Sequence, residues 1–241
     1  MDLDEAERRT LMAAGGAALT HNAPLSAERA IAAQVFLADM APRSVVDLGC
    51  GRGAFAHALA QHLPATHVLG VDSAADLIEI ARDREPVLPS EQLDFQVADA
   101  ADVPGPFGAV VCIGASHAFG DPSRMFERLL AIAPGGYAVV GDGIWEETPN
   151  DWCLETFGEQ PAGLQGLATL AQEAGWTVEH ADLSTREEWD DFEHGWCDGV
   201  RNVGSPAATT FADERSAEYQ NYRGVLGFGW LHLVDRSVSR P

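Results

Sequence analysis

Short apolar runs alternate with amphipathic segments along most of the chain. The runs are typical of buried strands, since each holds a few aliphatic residues between turn residues. Seven such runs occur: SVVDLG, THVLGVD, QLDFQVADA, FGAVVCIG, YAVVGD, WTVEHADL and VLGFGWLHLVD. Segments of helical period separate the first six runs, except the third and the fourth. Strands that alternate with helices predict an α/β fold with a doubly wound, seven-stranded and mostly parallel sheet.

Capping residues mark the expected helix starts. Residues that favour the N-cap precede four of the helical segments. They are Ser26, Ser73 with Asp76, Asp121 before Pro122, and Ser184 with Glu187. After Ser26, the apolar residues Ile31, Val35 and Met40 recur at near-helical spacing.

The order of the elements predicts one domain over residues 1–241. The length of 241 residues and the 46% hydrophobic content are enough for one sizeable core. The predicted segments are an N-terminal helical cap (1–42), a ligand-binding core (43–183), a helical insert (184–224), and a final strand with a tail (225–241). Right-handed crossovers place a ligand at the carboxyl ends of the strands.

The charge of the chain argues against nucleic acids and anionic membranes as binding partners. The net charge is −22, and all 15 basic residues are Arg. Binding to nucleic acid or to an anionic membrane usually needs a basic face, so we expect a small-molecule partner instead. The acidic N-terminus is unlike a secretory signal, and no apolar run reaches the roughly 18 residues of a membrane span, so a cytoplasmic protein is expected. The oligomeric state is left open.

The four cysteines indicate no metal site. Cys50, Cys112, Cys153 and Cys197 form no C-x-x-C pair. Scattered thiols of this kind are typical of a reducing compartment. We therefore expect no bound metal.

The stretch VVDLGCGRGAF, residues 45–55, holds three glycines within five residues after an apolar run. Such a loop lets the backbone approach a ligand closely. Gly49, Gly51 and Ala54 match a G-x-G-x-x-A pattern, and Asp72 lies about 20 residues further on, as the dinucleotide fingerprint requires. A nicotinamide-dependent oxidoreductase is therefore one hypothesis.

Three carboxylates favour a different ligand. Asp47, Asp72 and Asp99 each stand at the end of one of the first three strands. Asp47 would repel a pyrophosphate but would suit an ammonium group. Asp72 can accept two ribose hydroxyls, and Asp99 can accept from an adenine amino group. Together they indicate a cationic, phosphate-free adenosyl ligand, which is S-adenosylmethionine.

The motifs in this region resemble those of the class I S-adenosylmethionine-dependent methyltransferases. VVDLGCGRGAF resembles the glycine-rich first motif, and GVDSA, VADAAD, AVVCIG and LLAIAPGGYAVVGD follow in the family's order. The resemblance covers roughly residues 43–142. It implies a Rossmann-like sheet whose last strand is antiparallel. Further stretches around residues 145 and 189 are similar to a bacterial group of small methyltransferases of unassigned substrate.

The resemblance also implies the cofactor contacts. The product form would be S-adenosylhomocysteine, held by the same residues. These are Asp47, Gly49, Cys50 and Gly51 at the methionine end, Asp72 with Ser73 at the ribose, Asp99 and Ala100 at the adenine, and Ile113 and Gly114 beside the sulfonium.

The methyl acceptor is expected to be a small molecule. The Pro-Pro motif of amino-methylating DNA enzymes is missing after the fourth strand, where the sequence reads IGASHAFGD, and no Pro-Cys dipeptide occurs. His117 is the first candidate for a general base and Glu146 the second. The alternatives are that His117 only ends a strand and that Glu146 lies in a solvated loop.

Aromatic and acidic residues after the fourth strand suggest an amine or an aromatic acceptor. The candidate substrate residues are Ser116, His117, Trp145, Trp189, Glu193, Trp196, Tyr219 and Tyr222. The alternative is that these rings pack the insert onto the sheet, because Trp189, Glu193 and Trp196 share one helical face. A non-catalytic protein that binds S-adenosylmethionine is a third hypothesis.

Overall fold

The computed structural model describes residues 3–84 and 92–238. One sheet of seven strands runs through this part of the chain, in the order β3-β2-β1-β4-β5-β7-β6. The strands are β1 (Ser44–Leu48), β2 (His67–Asp72), β3 (Leu93–Val97), β4 (Ala109–Ile113), β5 (Tyr137–Trp145), β6 (Trp176–Leu183) and β7 (Leu226–Asp235). Strands β1 to β5 pair in parallel, whereas β7 runs antiparallel to both β5 and β6. The predicted fold class is confirmed.

Helices cover both faces of the sheet and one of its ends. They are α1 (Glu5–Ala17), α2 (Ala27–Met40), α3 (Ala54–His62), α4 (Ala75–Asp83), α5 (Pro122–Ile132), α6 (Asp151–Phe157), α7 (Gly163–Glu173), α8 (Arg186–Arg201) and α9 (Pro206–Tyr222). Short 3-10 turns span Ala100–Asp102 and Ser116–Phe119. The two core layers meet at β1 and β4, whose apolar side chains are buried, except the half-buried Ile113, because helices cover both faces.

Two of the four predicted helix starts are confirmed. The hydroxyl of Ser26 accepts the N–H of Arg29 at 3.3 Å, and the carboxylate of Asp121 accepts the N–H of Arg124 at 2.8 Å. These bonds satisfy donors that a helix leaves unpaired at its first turn. Pro122 follows Asp121 at the first helical position, as predicted.

The predicted capping boxes at Ser73 and at Ser184 are wrong. Helix α4 is preceded by Ala74, whose N–H donates to Asp72 at 2.9 Å. Helix α8 is capped one residue later, by Thr185 with Glu188. The reason is that the Ser184 hydroxyl is engaged elsewhere: it donates to the carbonyl of Pro24 at 2.6 Å and accepts the indole N–H of Trp230 at 2.7 Å.

Helix α2 does not pack through the face that the predicted apolar spacing marked. Ala33 and Leu37 face the sheet and are almost fully buried. Ile31 and Val35, the residues whose spacing indicated the helix, are about half exposed, at 51% and 49%. The spacing therefore predicted the helix correctly, although the residues that show it lie on the exposed face.

Helices α1, α8 and α9 form a cap on the end of the molecule where the parallel strands finish. Gly15 of α1 lies directly beneath the ring of Trp196 of α8, and a Cβ atom at Gly15 would overlap that ring. At Gly199 of α8, a Cβ atom would likewise overlap the Ala18 methyl group and the backbone of α1. The cap therefore depends on glycines at the places where two helices touch.

Candidate active site

A cavity of about 570 Å³ opens at the carboxyl ends of β1, β2 and β4. All ten residues that the sequence analysis assigned to the cofactor line it. They are Asp47, Gly49, Cys50, Gly51, Asp72, Ser73, Asp99, Ala100, Ile113 and Gly114. Whether they bind the cofactor stays a prediction, but the fold does bring them to one wall, which we call the floor of the cavity.

The glycine loop turns sharply from β1 into α3. Gly49, Gly51 and Gly53 have φ angles of 74°, 54° and 73°, which other residues rarely adopt. At Gly49 a Cβ atom would also lie 2.7 Å from the methyl group of Ala115. The N–H groups of Gly49 and Cys50 both donate to the carbonyl of Val71, at 2.8 and 2.9 Å. The loop thus lies low across the strand ends and leaves the space above it for a ligand.

Asp47 is a buried carboxylate that lines the cavity. Its side chain is 3% exposed, and its Oδ2 has no hydrogen-bond partner within residues 3–84 and 92–238. Burial raises its pKa to about 7, and the nearby charge of Asp72 adds to the rise. A buried acceptor of this kind is costly unless it is paired. The site therefore fits a ligand that brings an ammonium group to Asp47.

Asp72 holds the loop and remains able to bind a ligand. Its Oδ2 accepts the N–H of Gly51 and its Oδ1 accepts that of Ala74, both at 2.9 Å. Each carboxylate oxygen has a second lone pair, so the group can still accept two hydroxyls. Asp99 is exposed at the cavity, with its Oδ1 on the N–H of Ala101 at 2.9 Å. The three acids fit the ammonium, ribose and adenine groups of S-adenosylmethionine.

The opposite wall of the cavity comes from α1 and the loop that follows it. We call this wall the roof; its lining residues include Arg9, Met12, Ala13, Gly16, Leu19, Thr20, His21, Asn22, Ala23 and Leu25. The guanidinium of Arg52 donates to the carbonyl of Ala13 at 2.9 Å and so joins floor to roof.

His21 is a roof residue that sequence reasoning missed. It packs edge-on against Phe55, with the ring centroids 6.0 Å apart, and burial lowers its pKa to about 4. It is therefore neutral at ordinary pH. The available signal was the polar triplet of Thr20, His21 and Asn22 inside a loop of small residues.

The two predicted bases lie in different places. His117 lines the cavity from the turn Ser116–Phe119, which follows β4. Glu146 lies beyond the end of β5, beside a separate cavity of about 30 Å³ that Trp189 and Tyr219 also line. His117 can therefore contact a substrate in the large cavity, whereas Glu146 lies outside that cavity.

Most of the predicted substrate residues pack against one another instead of lining the cavity. The aromatic cluster comprises Trp145, Trp152, Phe157, Trp189, Tyr219, Tyr222, Phe228 and Trp230. Its centre is Tyr222, whose ring lies 4.9 Å from that of Phe157 and 6.1 Å from that of Trp189. The cluster also packs against Leu25 and Ile113, two residues that line the cavity. The rings therefore support the cavity wall from behind.

Glu193 and Trp196 belong to the packing of the cap. Glu193 is 2% exposed, forms an ion pair with Arg215 at 2.8 Å and accepts the hydroxyl of Tyr222 at 2.6 Å. The guanidinium of Arg215 also lies 4.0 Å above the ring of Trp196. Glu193 is buried against these partners and is not among the described residues that line the cavity, so it is not directed at an amine there. The alternative interpretation, in which the insert packs onto the fold, describes these two residues.

Residues 45–136 match the family model described as a methyltransferase domain. This part of the chain is therefore a methyltransferase domain. The chain is 38% identical over 115 residues to trans-aconitate 2-methyltransferase of Rhodopseudomonas palustris, covering 46% of this chain and 42% of that protein. It is 34% identical over 161 residues to the enzyme of the same name from Azoarcus, covering 62% and 59%. The chain thus spans about half the length of these curated relatives.

A solved structure shows the same fold across nearly the whole chain. The S-adenosylmethionine-dependent methyltransferase from Thiobacillus denitrificans, solved with S-adenosylhomocysteine, aligns at a TM-score of 0.79 and 22% identity. The alignment covers 98% of this chain and 100% of that one. The predicted family and fold are confirmed, and the comparisons give no support to a nicotinamide-dependent oxidoreductase.

The described residues include neither a membrane-spanning helix nor a cluster of metal ligands. Among them, no helix is long and apolar enough to cross a membrane. The same residues contain no group of three or more His, Cys, Asp or Glu side chains arranged to hold a metal ion.

Proposed function

We propose that this protein transfers the methyl group of S-adenosylmethionine to a small molecule. The observation that carries the proposal is the buried Oδ2 of Asp47 on the cavity floor, which has no hydrogen-bond partner among the described residues and lies within a methyltransferase domain. A cavity of about 570 Å³ lies within the range of small-molecule sites, roughly 300–1,000 Å³. It suits a cofactor together with a modest acceptor.

The residues of the floor would hold the cofactor in a fixed orientation. Asp47 would pair with the ammonium group, Asp72 would accept the ribose hydroxyls, and Asp99 with Ala100 would border the adenine. Ile113 and Gly114 would lie beside the sulfonium. When bound, S-adenosylmethionine supplies an activated methyl group.

The remaining residues would act on the acceptor. The roof would shield the bound acceptor from water, and His117 offers a ring nitrogen where the acceptor would lie. Positioning and removal of water provide most of the acceleration in a displacement of this kind, so few catalytic groups are needed. The exposed ring of His117 can hold a proton that the acceptor loses.

The acceptor belongs among small metabolites. The curated relatives named above are called trans-aconitate 2-methyltransferases, which makes a carboxylated acceptor the first class to test. An amine or an aromatic acceptor stays in the proposal, although Glu193 no longer supports an amine. The net charge of −22 continues to disfavour a nucleic-acid substrate.

Titration calorimetry with purified protein tests the cofactor assignment. S-adenosylmethionine and S-adenosylhomocysteine are expected to bind at micromolar concentration and NADH is not. Asp72→Ala should weaken both adenosyl ligands about 100-fold, since it removes the ribose acceptor and frees the loop N–H groups. Asp102→Ala is the matched control, because Asp102 is a nearby exposed acid that does not line the cavity within the described chain.

Two results would decide against the proposal. If NADH binds tightly and neither S-adenosylmethionine nor S-adenosylhomocysteine binds, the glycine loop is a dinucleotide-binding loop. If Asp72→Ala and wild type bind the adenosyl ligands with equal affinity, these ligands do not bind at Asp72. With binding established, methyl transfer from labelled cofactor to a panel of amines, phenols, thiols and carboxylic acids, trans-aconitate included, would identify the acceptor class and separate an enzyme from a binding protein.

A further inference from the structure

A second buried carboxylate, Asp142, lies behind the turn that carries His117. It stands on β5 and is 5% exposed. Its Oδ1 accepts the N–H of Gly143 at 2.9 Å, while its Oδ2 is buried and has no hydrogen-bond partner in the part of the chain that the structure describes. An unpaired buried oxygen is costly, so its retention calls for a donor.

The backbone places Asp142 next to the His117 turn. The carbonyl of Gly141 accepts the N–H of Gly114 at 2.8 Å and so ties the end of β4 to β5. Gly114 then adopts a φ of 67° and leads into the turn Ser116–Phe119. His117 on this turn lines the cavity, whereas Asp142 is on the strand behind it.

Three polar side chains act on Asp142. The Ser116 hydroxyl, through a hydrogen bond, and the His117 ring, through its charge, both lower the pKa of Asp142, but burial has the larger effect and raises it. The third group is the Cys112 thiol on β4, whose own pKa is raised by burial and by Asp142, so the thiol stays uncharged. Of these groups, Ser116 and His117 can donate a hydrogen bond of useful strength, and His117 alone among the three reaches the cavity.

We propose that Asp142 is a positioning residue whose free Oδ2 accepts the ring N–H of His117 once the cavity is filled, which directs the other ring nitrogen at the acceptor as a base. The inference rests on the proposed methyl transfer. A base oriented by a buried carboxylate is a recurring arrangement in enzymes, because the carboxylate fixes the tautomer and the ring direction. Hydrogen bonds of this kind are often long before the ligands bind.

This arrangement points to an acceptor that carries a proton on its attacking atom, such as a hydroxyl, a thiol or a protonated amine. The attacking atom forms a bond to the methyl carbon, and the carbon–sulfur bond breaks with its electron pair left on sulfur. The proton of the acceptor goes to His117 and then to solvent. One proton is released for each methyl group transferred. A carboxylate acceptor, already ionised, would release none and would need no base.

Nitrogen NMR of the histidine rings tests the proposal without knowledge of the acceptor. The protein is labelled with nitrogen-15, saturated with S-adenosylhomocysteine and studied at a pH where the imidazoles are neutral; His117→Gln assigns the signal. In wild type, one ring nitrogen of His117 should carry the proton almost exclusively. In Asp142→Asn the two nitrogen signals should move towards their average or exchange places.

The matched control is Asp235→Asn, since Asp235 is also a buried carboxylate on a strand and binds the N–H of Gly135 at 2.6 Å. It should leave the His117 signals unchanged. Averaged signals of the two His117 nitrogens in wild type would overturn the inference, and this result does not require that Asp142→Asn folds. Identical His117 signals in wild type and Asp142→Asn would also overturn it. Calorimetric binding of S-adenosylhomocysteine, measured first, shows separately whether the proposed function itself holds.

Proton counting with trans-aconitate and with the protic members of the acceptor panel gives a second test. A pH-indicator dye follows proton release while labelled cofactor follows methyl transfer. One proton for each methyl group on a protic acceptor is expected. Turnover of trans-aconitate at a carboxylate, with no proton release and with no loss of rate in Asp142→Asn, would overturn the inference while leaving the methyltransferase function intact.

Discussion

The floor and the roof of the cavity are built in different ways. The floor consists of strand ends and the glycine loop, and its geometry is set by backbone hydrogen bonds such as those to the carbonyl of Val71. The roof consists of α1 and its loop, and it is held by side chains from α8, above all Trp196 on Gly15. Local sequence order therefore determines the floor, whereas contacts between distant segments determine the roof.

The largest expected effect is on the roof, in Trp196→Ala. Removing a buried Trp ring costs about 3–5 kcal/mol of unfolding free energy, because a cavity remains where the ring packed. Urea denaturation measures this loss. In the folded variant, the affinity for S-adenosylhomocysteine should fall less than about tenfold, since the floor is intact. Trp196→Phe is the control that keeps part of the packing.

A loss of affinity in Trp196→Ala as large as that of a floor variant would remove the distinction between the two walls. It would also revive the prediction that Trp196 takes part in ligand binding.

The next effect is on the floor, in Gly49→Ala. The left-handed backbone costs a non-glycine residue about 1–2 kcal/mol, and the new methyl group would meet that of Ala115. We expect about a 100-fold loss of affinity for S-adenosylhomocysteine by calorimetry. Gly158→Ala is the matched control: its φ is 68°, and no described atom lies within 4 Å of the added carbon. Equal losses in both variants would show that strain, not the cavity, is responsible.

The affinity for S-adenosylhomocysteine should depend on pH through Asp47. With a pKa of about 7 in the free protein, Asp47 must lose a proton before it pairs with the ammonium group. Affinity should therefore rise close to tenfold per pH unit below about pH 7 and level off above it. Calorimetry between pH 5 and pH 8 measures the slope, and Asp47→Asn should abolish it. If the affinity of wild type does not change with pH, Asp47 does not pair with the ammonium group of the ligand.

The stability of the ligand-free protein should change in the opposite direction. The pKa of Asp47 is 3.8 in a model peptide and about 7 in the fold, so the folded state binds more protons between these values. Unfolding free energy should then fall as pH rises from about 4 to about 7, on the order of a few kcal/mol. The difference between wild type and Asp47→Asn isolates this contribution, and parallel stability curves would contradict it.

The smallest effect is expected for Ile31→Ser on the outer face of α2. The side chain is 51% exposed, so the unfolding free energy should change by no more than about 0.5 kcal/mol. Leu37→Ala, on the buried face of the same helix, should cost about 2–5 kcal/mol. Denaturation of both variants checks which face packs. A large cost at Ile31 would mean that another surface covers it.

The sequence predicted the floor well because its signals are local. Asp47 lies near the end of β1, Asp72 ends β2 and Asp99 comes shortly after β3, and parallel strands finish at the same edge of the sheet. Their convergence on one cavity therefore follows from topology. The antiparallel last strand, in contrast, was predicted only by the resemblance to the methyltransferase family.

The roof could not be predicted in the same way. Trp196 and Glu193 share a helical face with other apolar residues, but nothing in the local pattern shows whether that face meets a ligand or another helix. Their partners, Gly15 and Arg215, lie on other elements. His21 was missed because a single His in a short loop has no periodicity, and only the docking of α1 buries it.

The contact of Gly15 with Trp196 also sets an order of assembly. The two residues are about 180 positions apart in the chain, and contacts between such distant segments form slowly, because a long loop must close first. During synthesis, α1 emerges well before α8, so it must wait beside the unfinished sheet with its packing face exposed. We therefore expect the cavity to acquire its roof, and with it a tightly held cofactor, among the last steps of folding.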